Sequence, residues 1–428
     1  MRLLGVGDLH LGRRSGRLPD AVKARLGERR LGPAGALERL VEAARREGVD
    51  VVAFAGDVVE QADDFFEAFA ELRRGVTALV ESGITVVGVA GNHDVQVLPQ
   101  LAEEVAGFRL LGRGGTWEAV DLTGADGTTV RVYGWSFPSP ITPDNPLAGQ
   151  SFNAPQGPML GLLHCDRDHR DSHHAPVSSR ELHAAGLDAW LLGHIHKPDA
   201  LAANQPSGYL GSVTALRASE TGARGPWLYT IESGEIRSIT HWPLAPLRWE
   251  VLDVDLTDLA DATEARSRIL ASAEATARQL SDDTFRPDAL GLRLRLHGRT
   301  RLRREVAALL ANEDLSDLPL AGGMHGFVGH WWLNTRPEID LQTLAQRPDP
   351  AGLLARRLQL LEDAPAGDPE RQALLDRARA HLQAVQRDPA WSRLDTSDPD
   401  EATLLDWLRR GALTSLDELL AQRREGTP

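Results

Sequence analysis

The sequence has almost no cysteine and almost no lysine. Its 428 residues include a single cysteine, Cys165, which excludes an internal disulfide framework and a zinc site made of cysteines alone. Lysine occurs only at positions 23 and 197, so arginine carries nearly all of the positive charge. Any bound metal must therefore be held by histidine, aspartate, asparagine or glutamate.

The sequence also lacks a long apolar run. No stretch approaches the roughly 18 apolar residues that indicate a membrane-spanning helix. Asp8 interrupts the first apolar segment before a signal-peptide core could form. We therefore expect a cytoplasmic protein that makes no membrane contact. Hydrophobic residues make up 42% of the chain, and its length predicts two or three globular domains.

Acidic side chains outnumber basic ones, 61 against 47, and the formal net charge is -14. This balance argues against a polyanionic substrate, since phosphate backbones attract arginine and lysine. Two segments nevertheless concentrate basic side chains: residues 1–30 hold eight of them, and residues 286–304 hold seven arginines against only Asp288. These segments are either solvated surface or nucleic-acid-binding surface.

The first half of the chain alternates short apolar strands with amphipathic helices. We predict strands over residues 3–7, 51–56 and 84–91, with helices around 33–47 and 63–82 between them. Shorter strand-like segments follow from residue 109, which predicts a second sheet packed against the first. The pattern indicates an α/β fold with two sheets flanked by helices.

Three domains are predicted along the chain. Trp242 to Pro246 is rich in proline and indicates a boundary, so the first domain covers residues 1–246. A small mixed α/β module follows over 247–347, and a helical region over 348–428. Leucines recur at helical spacing in this last region, at positions 353, 354, 358, 361, 416, 419 and 420. Such a stripe must be buried, either against the chain's own middle module or against a partner.

Polar side chains interrupt the ends of five apolar strands. The residues concerned are Asp8, His10, Asp57, Asn92, His93, His164, His194 and His196. Ligands in open α/β sheets bind at the carboxyl ends of strands, so we expect these side chains to converge on one rim. Residues i and i+2 of an extended chain lie about 7 Å apart on the same side, which suits ligands of neighbouring metal ions.

The residue types favour a centre of two metal ions about 3.5 to 4 Å apart. A carboxylate is the natural bridge between two cations, and Asp57 stands alone in the position to be one. Asn92 supplies a neutral oxygen ligand. His93 is the neighbour left over, and a histidine just outside the metal ligands can protonate a departing oxygen. Asp94 would orient the His93 imidazole.

These blocks together resemble the calcineurin-like metallophosphoesterases, on the motifs GDLH, AGDV, GNHD, the strand-terminal His164 and GHIH. Within that superfamily, residues 1 to about 350 are similar to the DNA double-strand-break repair nuclease subunit of the SbcD type, especially its YhaO-like branch. The later blocks behind this likeness are GHIHKP, "YLGSVTALRASETGARGPWLYTIESGEI", and LGLRLRLHGRTRL with "WLNTRPEID".

The resemblance implies two manganese ions, and the donor set also accepts iron, zinc, cobalt or magnesium. It assigns Asp8, His10, Asp57 and His196 to one ion, and Asp57, Asn92, His164 and His194 to the other. His93 would be the transition-state residue. The module over about 247–345 would cap the site and steer DNA, and the C-terminal helices would dock on an SbcC-like or YhaN-like coiled-coil ATPase.

The arginines of the middle module are the candidate DNA contacts. They are Arg293, Arg295, Arg299, Arg301 and Arg303. Arg293 and Arg295 alternate with leucines, so one strand would place its arginines on one face and its leucines in a core.

The sequence leaves several alternatives open. The first is a nuclease, acting as a 3'-5' exonuclease, a single-strand endonuclease or both, with an ATPase partner. The second is a phosphoesterase for nucleotides, phosphoproteins or lipid precursors, and the third is a non-catalytic adaptor, which would normally have lost ligands. The chain departs from the common pattern at VVEQADDFF after Asp57 and at Cys165. We expect His169, His173 and His174 to lie in a solvated loop, and the sequence does not decide between monomer and homodimer.

Overall fold

The computed structural model describes residues 1–16, 18–61, 65–153, 157–281, 283–336, 339–386 and 399–425. Its strands are β1 (Arg2–Val6), β2 (Val51–Phe54), β3 (Thr85–Gly88), β4 (Phe108–Leu110), β5 (Trp117–Thr123), β6 (Thr129–Trp135), β7 (Met159–His164), β8 (Asp166–Arg167), β9 (Pro176–Val177), β10 (Ala189–Gly193), β11 (Gly208–Tyr209), β12 (Trp227–Glu232), β13 (Glu235–His241), β14 (Leu247–Asp255), β15 (Ala289–His297), β16 (Leu318–Pro319) and β17 (His325–Leu333).

Helices alternate with the early strands and dominate the end of the chain. They are α1 (Asp20–Leu26), α2 (Glu28–Leu31), α3 (Pro33–Arg46), α4 (Phe65–Glu81), α5 (Leu98–Glu104), α6 (Ser179–Ala184), α7 (Ala262–Ser281), α8 (Arg303–Asn312), α9 (Leu341–Ala345), α10 (Pro350–Asp363), α11 (Pro369–Gln386) and α12 (Glu401–Glu425). The helix predicted around residues 63–82 is described from Phe65 onward, and residues 62–64 lie outside the described residues.

Two sheets form the first half of the molecule, as the alternating pattern predicts. The first has the order β13-β12-β1-β2-β3-β4, and the second β11-β10-β7-β6-β5. Strands β1 to β4 pair in parallel, and so do β6, β7, β10 and β11, whereas β12 and β5 pair antiparallel to their neighbours. The carboxyl ends of the central strands therefore point one way within each sheet.

Apolar residues on both faces of the strands explain the layers. Leu3, Val51 and Val87 of the first sheet share a buried cluster with Leu160 and Leu191 of the second. The alternate residues of the first sheet pack on helices α3, α4 and α5, and those of the second pack around α6. The α/β class with two stacked sheets and outer helices is thereby confirmed.

The third sheet has the order β14-β15-β17-β16. Its buried residues Leu247, Trp249 and Phe327 share a cluster with Val22 and Ala215 of the first part of the chain. The chain forms two compact units: one contains residues 1–254, 266–295 and 312–332, and the other contains 255–265, 296–311 and 333–428. The domain boundaries predicted at 246/247 and 347/348 stay a prediction.

Leucines of the C-terminal helices pack against one another. Leu358 of α10 and Leu416 of α12 are fully buried, and Leu344 of α9 joins the same cluster. Leu354, Leu419 and Leu420 of the predicted stripe are partly buried against it, whereas Leu353 is 44% exposed. Much of the stripe is thus covered inside the helical region itself. The predicted linker at 387–391 lies outside the described residues.

No helix in the described part of the chain is both long and apolar enough to cross a membrane.

Candidate metal centre

The predicted ligand residues follow the carboxyl ends of neighbouring strands. Val6, Phe54 and Gly88 are register partners at the ends of β1, β2 and β3, and Asp8, Asp57 and Asn92 come two to four positions later. In the second sheet, His164 ends β7 and is the register partner of Gly193, the residue before His194. Parallel pairing therefore brings residues from distant parts of the sequence to the same edge.

Glycines in the motifs allow the close approach of the loops. A Cβ atom on Gly91 would lie 2.2 Å from Oδ1 of Asp57, and one on Gly193 would lie 2.0 Å from the carbonyl oxygen of Ala55. Any larger residue would collide with these groups. The glycines in GNHD and GHIH are thus required by packing around the site.

Three of the predicted ligand residues adopt the left-handed backbone region. The φ angles are 54° at His10, 47° at Asp57 and 103° at His194. Such conformations cost about 1–3 kcal/mol each for residues other than glycine, and they persist where the surrounding structure imposes them. Here all three residues belong to the candidate ligand set that follows the strand ends.

Asp8, His10 and His196 form the first candidate metal position. Their ligand atoms lie within 4.8 Å of one another, and the Nε2 atoms of the two histidines are 3.1 Å apart. Oδ2 of Asp8 is buried without a hydrogen-bond partner among the described residues. Its Oδ1 accepts a hydrogen bond from the backbone N–H of His194 at 2.9 Å. A buried carboxylate oxygen without a donor fits a cation.

Asp8, Asp57 and His164 form a second group within the same distance limit. Nε2 of His164 lies 3.3 Å from Oδ2 of Asp57 and 3.0 Å from Oδ1 of Asn92. The same Asn92 oxygen lies 3.2 Å from Nδ1 of His194. Oδ2 of Asp57 is also 3.9 Å from Nε2 of His10, so it faces both groups. Asp57 therefore lies where the sequence predicts a carboxylate that bridges two cations.

The buried carboxylates and imidazoles of the site shift one another's pKa values. Burial raises the pKa of Asp57. The neighbouring imidazoles of His164 and His10 lower this pKa by more than burial raises it, so the net shift is downward. Burial lowers the pKa of His164, yet the charge of Asp57 raises it to about 9. Burial and His164 together lower the pKa of His194 to about 4. Divalent cations would replace such protons, because metal-bound histidine is neutral.

His93 and Asp94 occupy different environments. The His93 side chain is exposed, and its Nδ1 lies 3.0 Å from the backbone carbonyl of Glu60. Asp94 is buried and accepts hydrogen bonds from the backbone N–H groups of Gly91 at 2.8 Å and Val58 at 2.6 Å. Burial, with the nearby charge of Asp57, raises the pKa of Asp94 to about 7. Asp94 thus holds the two loops together, which differs from the expected contact with the His93 ring.

Two glutamates next to the site were not singled out in the sequence. Oε2 of Glu60 lies 2.7 Å from Nδ1 of His10, and Glu60 also groups with His10 and His93 as possible ligands. Oε1 of Glu220 lies 2.9 Å from Nδ1 of His196. Glu60 follows Asp57 by three positions, which could have drawn attention to it. Glu220 is 24 residues beyond His196, with no local signal of a contact.

The histidine-rich segment lies partly against the site. His169 and His173 are exposed, which agrees with the expected solvated loop. His174 is half-buried instead, with its ring centroid 5.1 Å from that of His194. Asp166 lies 3.4 Å from His169 through Oδ1 and Nδ1. Burial raises the pKa of the adjacent Cys165 thiol, which is fully buried and not a reactive thiolate.

Two of the predicted DNA-contacting arginines lie on β15. Leu292 and Leu294 of this strand are fully buried, so its arginines point away from the core as predicted. The Arg293 guanidinium stacks on the ring of Trp332, 4.8 Å from the centroid. Arg295 pairs with the exposed Asp253 at 2.7 Å.

The remaining three arginines belong to the second compact unit. Arg299 lies 3.5 Å from the carboxylate of Asp417, and Arg303 donates a hydrogen bond to the carbonyl oxygen of Thr335 at 2.8 Å. Arg301 is exposed. Their role in binding DNA stays a prediction.

Comparison with known families agrees with this geometry. The calcineurin-like phosphoesterase family matches residues 1–198, which contain all of the candidate ligands. The chain carries a calcineurin-like metallophosphoesterase domain. Domains of this fold bind two divalent metals, and the residues of this one fit them: buried carboxylates, an amide oxygen and imidazoles face one another. The middle domain of the metallophosphoesterase YhaO matches residues 249–324 of the same chain.

Individual relatives show how far the likeness extends. The phosphoesterase is 27% identical over 263 residues to YhaO of Bacillus subtilis, an uncharacterized metallophosphoesterase, covering 58% of this chain and 60% of that protein's length. It is 26% identical over 301 residues to the DNA double-strand break repair protein Mre11 of Aeropyrum pernix, covering 67% of this chain and 71% of that one.

A dimetal phosphatase structure from Danio rerio covers 54% of this chain and 93% of its own, at 13% identity and a TM-score of 0.33.

Proposed function

We propose that this metallophosphoesterase is a manganese-dependent DNA nuclease that hydrolyses phosphodiester bonds in DNA repair, in the cytoplasm. The observation that carries the proposal is the convergence of the candidate ligand residues around the Asp8 carboxylate, whose buried Oδ2 has no hydrogen-bond partner among the described residues. Similarity to two Mre11 proteins, from Aeropyrum pernix and Methanopyrus kandleri, supports DNA as the substrate. An SbcC-like or YhaN-like coiled-coil ATPase is the proposed partner.

The ligand assignment follows the motifs. We assign Asp8, His10, Asp57 and His196 to one cation, and Asp57, Asn92, His164 and His194 to the other. When bound, the two cations supply Lewis-acid activation of water and neutralise charge on the phosphate. The Nδ1–H of His164 donates to the carbonyl oxygen of Ala55 at 3.0 Å, which leaves its Nε2 free to bind.

His93 is the proposed general acid. Its exposed ring lies edge-on to that of His10, with the centroids 5.1 Å apart, so it is next to the assigned ligands. With Nδ1 turned to the Glu60 carbonyl, Nε2 is the atom that would give its proton to the departing sugar oxygen. The backbone N–H of His93 donates to Oδ1 of Asp57 at 3.0 Å, which fixes the loop beside the ligands.

The substrate class decides between the nuclease and a phosphoesterase for nucleotides, phosphoproteins or lipid precursors. Purified protein loaded with manganese should be assayed on linear duplex DNA, circular single-stranded DNA, bis-p-nitrophenyl phosphate and p-nitrophenyl phosphate. We expect cleavage of DNA and of the diester, abolished by chelation and by Asp57→Ala. Hydrolysis of the monoester with intact DNA would contradict the nuclease proposal and favour the alternative.

A further inference from the structure

The two histidines of the first metal position share a feature that the other ligands lack. His10 and His196 face each other through Nε2, and each ring presents its other nitrogen, Nδ1, to a glutamate from outside the ligand motifs. A carboxylate behind a metal-binding imidazole fixes which nitrogen carries the proton, orients the ring and raises the basicity of the ligand atom.

Glu220 is itself held in place on both sides. Its Oε1 accepts from Nδ1 of His196, and its Oε2 accepts from the backbone N–H of Leu216 at 2.7 Å. Arg224, only 4% exposed, donates through Nη1 to the carbonyl oxygen of His196 and lies 3.3 Å from Oγ of Ser212. One segment of chain thus fixes the backbone and the side chain of His196 together.

The second metal position has no such carboxylate among the described residues. Nδ1 of His164 contacts the carbonyl oxygen of Ala55, which carries no net charge. Nε2 of His194 lies 3.9 Å from Oδ2 of Asp166, which is too far for a hydrogen bond. The glutamates therefore act on one side of the centre only.

We propose that Glu220 is a positioning residue that sets the affinity of the metal position formed by Asp8, His10 and His196. It accepts the Nδ1–H of His196 and so turns the Nε2 lone pair toward the cation. Glu60 stands in a similar place behind His10, but Arg13, 3.1 Å away, shares its charge. The effect of substituting Glu220 is therefore easier to interpret than that of substituting Glu60. The inference concerns metal binding and does not depend on DNA being the substrate.

The test is a manganese titration of the metal-free full-length protein, with free Mn²⁺ read from its electron paramagnetic resonance signal. The parent should bind two ions. Glu220→Gln keeps the shape but removes the charge, and should weaken one ion about 10- to 100-fold while the other keeps its affinity. Glu42→Gln, an equal change on the exposed face of α3, should bind both ions like the parent.

A second experiment, in the His196→Ala variant, distinguishes a positioning role of Glu220 from a general contribution of Glu220 to the stability of the fold. In His196→Ala the proposed contact is already gone, so adding Glu220→Gln should cost nothing more in manganese affinity. An equal loss in both backgrounds, an equal weakening of both ions, or unchanged binding would each overturn the proposal. If Glu220→Gln does not fold, Glu220→Asp keeps the carboxylate at a shorter reach and should give a smaller loss, confined to one ion. No DNA is present, so the result is independent of nuclease activity.

Discussion

At the scale of the residue, His93 has a place that separates metal binding from proton transfer. It is exposed and anchored through the Glu60 carbonyl, and all of the assigned ligands are other residues. We expect His93→Ala to retain both metal ions and to lower kcat for a phosphodiester by about 10²- to 10⁴-fold, the usual contribution of a general acid. Metal analysis and cleavage of an oligonucleotide measure the two properties, because a departing sugar oxygen needs the proton whereas p-nitrophenolate does not. His183→Ala, at an exposed histidine of α6, is the control. Loss of metal from His93→Ala would make His93 a ligand instead.

The pH dependence of metal binding follows from His164. Burial lowers the pKa of this imidazole, but the charge of Asp57 outweighs that effect and raises the pKa to about 9. Below that pH the imidazole is protonated, and a bound cation must displace the proton. Apparent manganese affinity should therefore rise about tenfold per pH unit from pH 7 to 9 and flatten above. Titration calorimetry in buffers of different ionisation enthalpy counts the released protons. A constant affinity between pH 7 and 9, with no proton release, would contradict this account.

The convergence of the candidate ligand residues was predictable from the sequence, and the glutamates that contact them from outside the motifs were not. Asp8, Asp57 and His164 stand out because each breaks an apolar strand at its carboxyl end, and parallel strands bring such positions together. Glu220 belongs to no strand end, and its contact with His196 depends on how a later loop returns to the site. The spacing of residues along the chain does not predict this contact.

At the scale of the element, the faces of strand β15 agree with the sequence prediction, but one of its arginines is paired with a carboxylate. The alternation of leucine and arginine gave the right faces, since Leu292 and Leu294 are fully buried. It could not reveal that Arg295 is paired with Asp253 of the neighbouring strand at 2.7 Å. Pairing of strands that are distant in sequence decides which charges remain available.

That pairing yields a prediction for DNA binding. Asp253→Asn removes the carboxylate that competes with phosphate for Arg295, so DNA binding should become about 2- to 5-fold tighter at low salt, with a steeper salt dependence. Arg295→Ala should weaken binding and flatten the salt dependence. Fluorescence anisotropy of a labelled oligonucleotide across a salt series is the measurement. If Asp253→Asn binds DNA no more tightly than the parent, and the salt dependence is equal for the parent and both variants, the DNA binds elsewhere.

The helical region shows the same limit of sequence reasoning at the level of a helix face. Periodicity identified Leu358 and Leu416 as apolar positions of α10 and α12, but not what covers them. They cover each other within the region. The apolar surface that stays exposed for a partner is therefore smaller than the full leucine stripe. It includes Leu353 at 44% exposure and Trp407 at 45% exposure.

At the scale of the whole molecule, removal of the C-terminal helices tests their independence from the metal centre. Among the described residues, the buried clusters of the two stacked sheets contain none beyond Leu244, and the partly buried Phe285 that packs against one of them precedes Arg347. We expect a chain ending at Arg347 to keep two metal ions and phosphodiester hydrolysis, and to lose co-purification with a coiled-coil ATPase. Metal content, hydrolysis and affinity purification are the readouts. An insoluble or metal-free product would show that the helices support the phosphoesterase part.

We infer that the polar strand ends form one centre for two divalent cations, with Asp57 between them. Its most direct test is the manganese content per chain of the saturated and desalted protein, measured by mass spectrometry of the metal. We expect two ions per chain in the parent and at most one in Asp57→Ala, because Oδ2 of Asp57 faces both ligand groups. Fewer than two ions in the parent, with the same content in Asp57→Ala, would contradict it.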